Sequence, residues 1–130
     1  MQALMNTSEE NGGVKCLGFL DGEVRYFGDD LRDGDGLRLK VPHMGWNQVS
    51  QTIDHPLWKD VPDNSRFYFV HSYYVRTQQQ GMVSGVSRYE NDFVATLADN
   101  NIFAVQFHPE KSQTVGLTLL HNFLLWDGTV

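Results

Sequence analysis

From Val14 to Pro109 the sequence is built of β-branched and aromatic runs separated by Gly- and Asp-rich turns. That span holds a single short helix, over 55–60 behind Asp54; otherwise helical character is confined to the two ends. In a complete α/β domain strands and helices alternate. A strand-rich middle closed by a C-terminal helix therefore implies one partial α/β domain over residues 1–130, with its opening βαβ units missing. Residues 1–10, MQALMNTSEE, read as the last turns of a helix with no N-cap, ended by Asn11-Gly12-Gly13. VKCLGFL (14–20) and EVRYF (23–27) flank the turn pair Asp21-Gly22 and are expected to pair as a hairpin. GDDLRDGDG (28–36) is a polar loop, and Pro42 interrupts the alternating stretch 37–46. RFYFVHSYY (66–74) is the most strand-like segment, and a turn at 90–92 joins two further strands. IFAVQFHP (102–109) is a continuous apolar run, expected as a strand buried on both faces. Ser112 is expected to cap a helix through about Trp126, with Leu117, Leu120, Phe123 and Leu124 at helical spacing.

Composition excludes several classes of function. The chain has 130 residues, 41% hydrophobic and 20% charged, as a globular domain does. Its net charge of −6 comes with basic residues scattered singly, so no patch can neutralise a run of phosphates, and nucleic acid is not an expected partner. No apolar run approaches the ~20 residues that cross a bilayer, and no basic-then-apolar leader opens the chain. The single cysteine, Cys16, cannot form an intramolecular disulfide, which fits a cytoplasmic protein.

Chemistry concentrates in Val105-Gln106-Phe107-His108-Pro109-Glu110-Lys111-Ser112. In extended chain, residues two apart share a side, so His108 and Glu110 face one way. A carboxylate beside an imidazole fixes its tautomer and stabilises the imidazolium, which is the base-and-orienter half of a nucleophilic triad. A surface His and Glu at a strand end fit the same spacing, and spacing alone does not separate the two. The five histidines show no paired metal-ligand spacing, so no metal is expected; His55 and His121 read as surface or helix-face residues without chemistry.

VQFHPEKS followed by a leucine-rich helix resembles the closing motif of the class I (triad-type) glutamine amidotransferases. PHMGWN (42–47) and YFVHSYY (68–74) are more specifically similar to the glutaminase subunits of imidazole glycerol phosphate synthases. The resemblance implies a flavodoxin-like α/β domain, a Cys-His-Glu triad with His108 and Glu110, glutamine as substrate and no cofactor. It implies a cyclase partner with a (β/α)8 barrel, which uses the ammonia in histidine biosynthesis. Gln2 and Glu10 match positions that hold the glutamine substrate, and Ser72 and Tyr73 match the strand whose backbone contacts its α-amino and carboxylate groups. His43, Met44, Trp46, Tyr68 and Lys111 match the face that docks on the cyclase.

In that family the nucleophile sits in a Gly-x-Cys-Leu-Gly-Met-Gln elbow. Met1-Gln2 match its last two residues, so the cysteine is expected just before residue 1 and the chain alone is expected to be inactive. Cys16-Leu17-Gly18 mimics part of the elbow. However, Val14 stands where a small residue is needed, and a hairpin turn rather than a helix follows, so Cys16 is read as a buried small residue. Three alternatives stay open at this point: an amidotransferase feeding another synthase, such as one that amidinates a surface sugar; a non-catalytic binding or assembly fragment; and a metal-dependent hydrolase using His108 and Glu110. A sheet edge left without its neighbour is expected to promote self-association.

Overall fold

A computed structural model describes all 130 residues, Met1–Val130. Nine strands form two sheets: β1 Thr7–Ser8, β2 Val14–Lys15, β3 Glu23–Tyr26, β4 His43–Gln51, β5 Ser65–His71, β6 Tyr73–Arg76, β7 Val83–Tyr89, β8 Asn91–Asp99 and β9 Ile102–Val105. One α-helix, α1, spans Gln113–Leu125. The strand-rich α/β layout with a C-terminal helix is the one expected. The smaller sheet runs β2-β1-β3-β6 and the larger β5-β4-β7-β8-β9. Every pair is antiparallel except β1 with β3.

The segment 66–74 feeds both sheets. Phe67, Phe69 and His71 are buried on one face of β5, while Arg66, Tyr68 and Val70 turn outward, the period-two pattern of a strand with one packed face. At Ser72 the chain leaves the larger sheet, and β6 then pairs with β3, Tyr73 opposite Tyr26. Met5, Leu20, Val24, Val75, Met82, Val83 and Leu97 are buried where the two sheets meet. A second core, of Val49, Leu57, Trp58, Val61, Phe67, Phe69, Phe93, Ala95, Phe107 and Leu119, lies under α1 and the 3-10 turn Pro56–Trp58.

Several local expectations are corrected. Residues 1–10 hold a 3-10 turn, Gln2–Leu4, then β1, and the start of a second 3-10 turn, Glu10–Gly12, and no α-helix. Asn6, Thr7 and Ser8 are poor helix formers, and Thr7 and Ser8 instead satisfy their backbone between β2 and β3. For the same reason 14–20 and 23–27 form no hairpin: β1 lies between β2 and β3. The N–H groups of Cys16, Leu17 and Gly18 go back to the carbonyls of Asn6, Ala3 and Met5. Gly22 is needed there because a Cβ would stand 2.8 Å from the Met5 sulfur. His55, not Asp54, caps the turn at 56–58, its Nδ1 accepting the Leu57 N–H at 3.1 Å. Strand β9 is a sheet edge rather than a strand buried on both faces, and only Ala104 within it is buried.

Helix α1 packs through Ser112, Val115, Gly116 and Leu119, with Asn122 bonding the Leu57 and Lys59 carbonyls. The leucine stripe read from the sequence faces outward instead: Leu117 is 62% and Leu124 80% exposed, and Leu120 and Phe123 are exposed as well. With Leu17 and Phe19 also exposed, the isolated chain leaves several large apolar side chains bare, which favours association. Concentration-dependent sedimentation is expected; a single monomeric species at all loadings contradicts it.

Gly116 is the tightest point of the packing. A Cβ there would lie 1.9 Å from the Pro109 carbonyl oxygen, so the helix can approach the 109–111 turn only without a side chain. In a free helix Ala is favoured over Gly by about 1 kcal/mol, but overpacking a closed contact costs about 1–3 kcal/mol. Gly116→Ala is therefore expected to lower stability in urea unfolding; a rise would contradict the contact.

Candidate active site and amino-acid pocket

Strand β5 holds the His108 turn by its backbone. The His108 N–H donates to the Tyr68 carbonyl at 2.9 Å. Ser112 returns the chain to the same residue, its Oγ accepting the Tyr68 N–H at 3.0 Å and donating to the His108 carbonyl at 2.6 Å. Ser112 occupies the N-cap position of α1, as expected, but makes no side-chain cap bond to the helix. Fully buried, it ties the turn to the sheet instead. The 3-10 turn Pro109–Lys111 then brings Glu110 back beside the imidazole.

His108 Nδ1 lies 2.8 Å from Glu110 Oε1. An ionised carboxylate only accepts, so Nδ1 carries a proton, and in the neutral ring it is Nε2 that keeps the lone pair. The Glu110 carboxyl is held below the usual carboxylate range first by its own backbone N–H, then by the His108 N–H and the neighbouring positive charges, against the opposing pull of burial. Both side chains are open to solvent, 38% and 57%. The pair is an oriented, accessible imidazole and carboxylate rather than a buried structural bridge.

The four residues expected to hold an amino acid come together. Gln2, Glu10, Ser72 and Tyr73 line one open cavity of about 530 Å³, with His71 and Gln106 among its other walls. The Gln2 amide donates to the Tyr73 carbonyl at 3.0 Å and to Gln106 Oε1 at 2.8 Å. The motif reading passes over Gln106. It lies in the bend between the end of β9 and His108, two residues before the imidazole.

Of the expected docking face, Met44 and Trp46 are 52% and 42% exposed on β4. Trp46 sits opposite Tyr68 with ring centroids 5.8 Å apart, and Lys111 is exposed. His43 does not belong with them. Alternation along β4 turns it inward, 5% exposed, between the rings of Phe69 and Tyr89. Its Nδ1 lies 2.8 Å from His71 Nε2. Burial, and then the neighbouring His71, push its pKa down to about 4.

Cys16 is half-buried rather than buried. It lies in the irregular link between β2 and β3, followed by exposed Leu17 and Phe19 and no helix. His55 is buried rather than on the surface, its ring against Phe103 and Trp126, while His121 is exposed as expected. No group of three or more His, Cys, Asp or Glu side chains converges, and no helix is long and apolar enough to cross a membrane.

Comparison with known proteins adds the family. The chain is 63% identical over 128 residues to imidazole glycerol phosphate synthase subunit HisH of Pseudomonas putida, covering 98% of this chain and 60% of that protein. It is 55% identical over 128 residues to the same subunit of Nitrosococcus oceani, covering 98% of this chain and 59% of that protein. The chain thus spans about 60% of the length of these curated relatives. In fold it is similar to a Thermoplasma acidophilum protein described as one subunit of a GMP synthase, at TM-score 0.55 and 21% identity, over 65% of this chain and 44% of that one. Residues 1–126 match the glutamine amidotransferase class-I family, and the chain belongs to that family.

Proposed function

We propose that these residues carry the general base, its orienting carboxylate and the amino-acid pocket of a glutaminase, the ammonia-producing subunit of an imidazole glycerol phosphate synthase in histidine biosynthesis. The observation that carries the reading is the 2.8 Å contact from His108 Nδ1 to Glu110 Oε1, which leaves Nε2 free to take a proton. In the mechanism, Nε2 of His108 removes the proton of a cysteine thiol. The thiolate attacks the side-chain carbonyl carbon of glutamine, and the imidazolium returns the proton to the departing nitrogen, so that ammonia leaves and a glutamyl thioester remains. Water, deprotonated by the same Nε2, then attacks the thioester carbonyl; the C–S bond breaks, glutamate is released, and the imidazolium returns the proton to the cysteine sulfur. Glu110 keeps Nδ1 protonated and stabilises the imidazolium at both stages. The α-amino and carboxylate groups of glutamine are held by Gln2, Glu10 and the Ser72–Tyr73 backbone.

Cys16 does not serve as the nucleophile, because it has no helix N-terminus behind it to favour the thiolate. Met44, Trp46, Tyr68 and Lys111 form the face that docks on the cyclase, a (β/α)8 barrel that consumes the ammonia, and the pair works in the cytoplasm. Identity above 50% to HisH subunits supports this acceptor over a surface-sugar synthase. Glutaminase assays test the reading: the 130-residue chain alone shows no turnover, and a chain of the relatives' full length with its cyclase shows turnover that depends on His108. Turnover by the 130-residue chain that is lost on Cys16→Ser overturns the assignment of the nucleophile. A full-length enzyme indifferent to His108 overturns the reading and leaves binding or assembly as the function.

A further inference from the structure

We propose that His43 and His71 are positioning residues for the amino-acid pocket, a buried two-imidazole relay that fixes the Tyr73 carbonyl and with it the Ser72–Tyr73 backbone. This rests on the pocket assignment above. The chain of contacts can be assigned proton by proton. His71 Nδ1 lies 2.8 Å from the Tyr73 carbonyl oxygen, which can only accept, so Nδ1 is protonated and the Nε2 of neutral His71 is bare. That Nε2 faces His43 Nδ1 at 2.8 Å, so His43 donates from Nδ1 and is bare at Nε2. Asn47 Nδ2 stands 3.3 Å from His43 Nε2 and directs its other hydrogen to the Arg88 carbonyl at 2.8 Å. Asn47 Oδ1 accepts the Gln48 N–H at 2.8 Å, which settles the orientation of the amide. One arrangement satisfies every donor and acceptor, with both rings neutral. Burial lowers the pKa of each histidine and so favours this state.

The relay ends at a place that needs it. Ser72 lies in neither strand, where the chain passes from the larger sheet to the smaller, so the ladder of β5 has ended and that of β6 has just begun. There the Tyr73 carbonyl accepts from two side chains, His71 and Gln2, and both line the cavity. Gln2 is steadied in turn by Gln106. The rings of Phe69 and Tyr89, at 5.2 and 4.1 Å, hold His43 in plane. The relay acts on the groups that grip the ends of the substrate and not on the base. Its loss should therefore weaken binding of ground state and transition state alike, which raises KM at little cost in kcat.

The test uses the full-length enzyme assembled with its cyclase. His43→Phe keeps the stacking and removes both nitrogens, whereas His43→Asn retains a donor near the Nδ1 position. His43→Phe is expected to raise KM for glutamine about tenfold, the worth of one buried hydrogen bond, with kcat within about twofold, and His43→Asn recovers most of the loss. A fall in kcat and folded yield at unchanged KM means a structural role only and overturns the proposal. His108→Ala is the control for the wider reading: if it leaves kcat intact, that reading fails whatever His43 does. Should His43→Phe not fold, histidine 15N tautomer signals of the unmodified 130-residue chain decide. Nδ1–H in both rings supports the relay, and Nε2–H in His71 overturns it.

Discussion

In the full-length enzyme, His108→Ala is expected to lower glutaminase kcat by at least about a thousandfold, and Glu110→Gln by about a hundredfold, with KM for glutamine little changed. The two effects differ because the residues act differently. In the proposed mechanism His108 moves a proton in each half-reaction. Glu110 is assigned there a role only through His108 Nδ1, 2.8 Å away. At 57% exposure its charge is screened by water, and a glutamine side chain still offers an oxygen to accept the Nδ1 hydrogen. Steady-state glutaminase kinetics check both values. Equal losses would mean that the carboxylate takes part in proton transfer itself, and an unchanged kcat in either variant removes that residue from the mechanism.

Acidification from pH 6.5 to pH 4 is expected to remove roughly 3 kcal/mol of folding stability through His43. In the unfolded chain its imidazole titrates near 6.5, and in the folded chain near 4. Between those values the unfolded state binds a proton that the folded state refuses. The contribution is therefore complete above pH 6.5 and is lost as pH falls toward 4. The titratable groups touching the ring are His71 and Tyr89, and neither is a carboxylate that could hold an imidazolium. His71 and His55, both lowered by burial, add in the same direction. Glu110 acts later: its lowered pKa gives stability that is present above its ordinary 4.5 and lost below it. Urea unfolding at pH 7 and pH 4.5 measures the sum, and His43→Phe should flatten its slope. The same slope with and without His43 would contradict the burial argument.

The candidate site of this chain is more legible in its sequence than the local pairing of its strands is. His108 and Glu110 do pair, but not as an extended chain would pair them: strand β9 ends at Val105, and the 3-10 turn Pro109–Lys111 brings the carboxylate to the imidazole. Family resemblance supplies Gln2, Glu10, Ser72 and Tyr73, and one cavity brings them together. The misreadings share a cause. Sequence patterns report local preference, whereas partner choice is tertiary. Residues 14–20 and 23–27 look like a hairpin because Asp21-Gly22 lies between them, yet the neighbours in space of β2 and β3 are Thr7 and Ser8, earlier in the chain. Leu117, Leu120 and Leu124 have helical spacing, yet the face that packs carries Gly116, where a Cβ would meet the Pro109 carbonyl, and buried Leu119. Motif groups His43 with Met44 and Trp46, although alternation along a strand already places it on the opposite side from Met44, and the fold buries it. Ser112 is a cap by type and position, and its hydroxyl bonds the sheet instead.

The central claim is that residue 110 holds the proton on one nitrogen of residue 108 and so leaves the other ready to act. Long-range 15N–1H correlation on the 130-residue chain at neutral pH reads this directly. The account predicts the Nδ1–H tautomer for His108, with that preference lost in Glu110→Ala. A dominant Nε2–H tautomer, or one that ignores removal of the carboxylate, would contradict it.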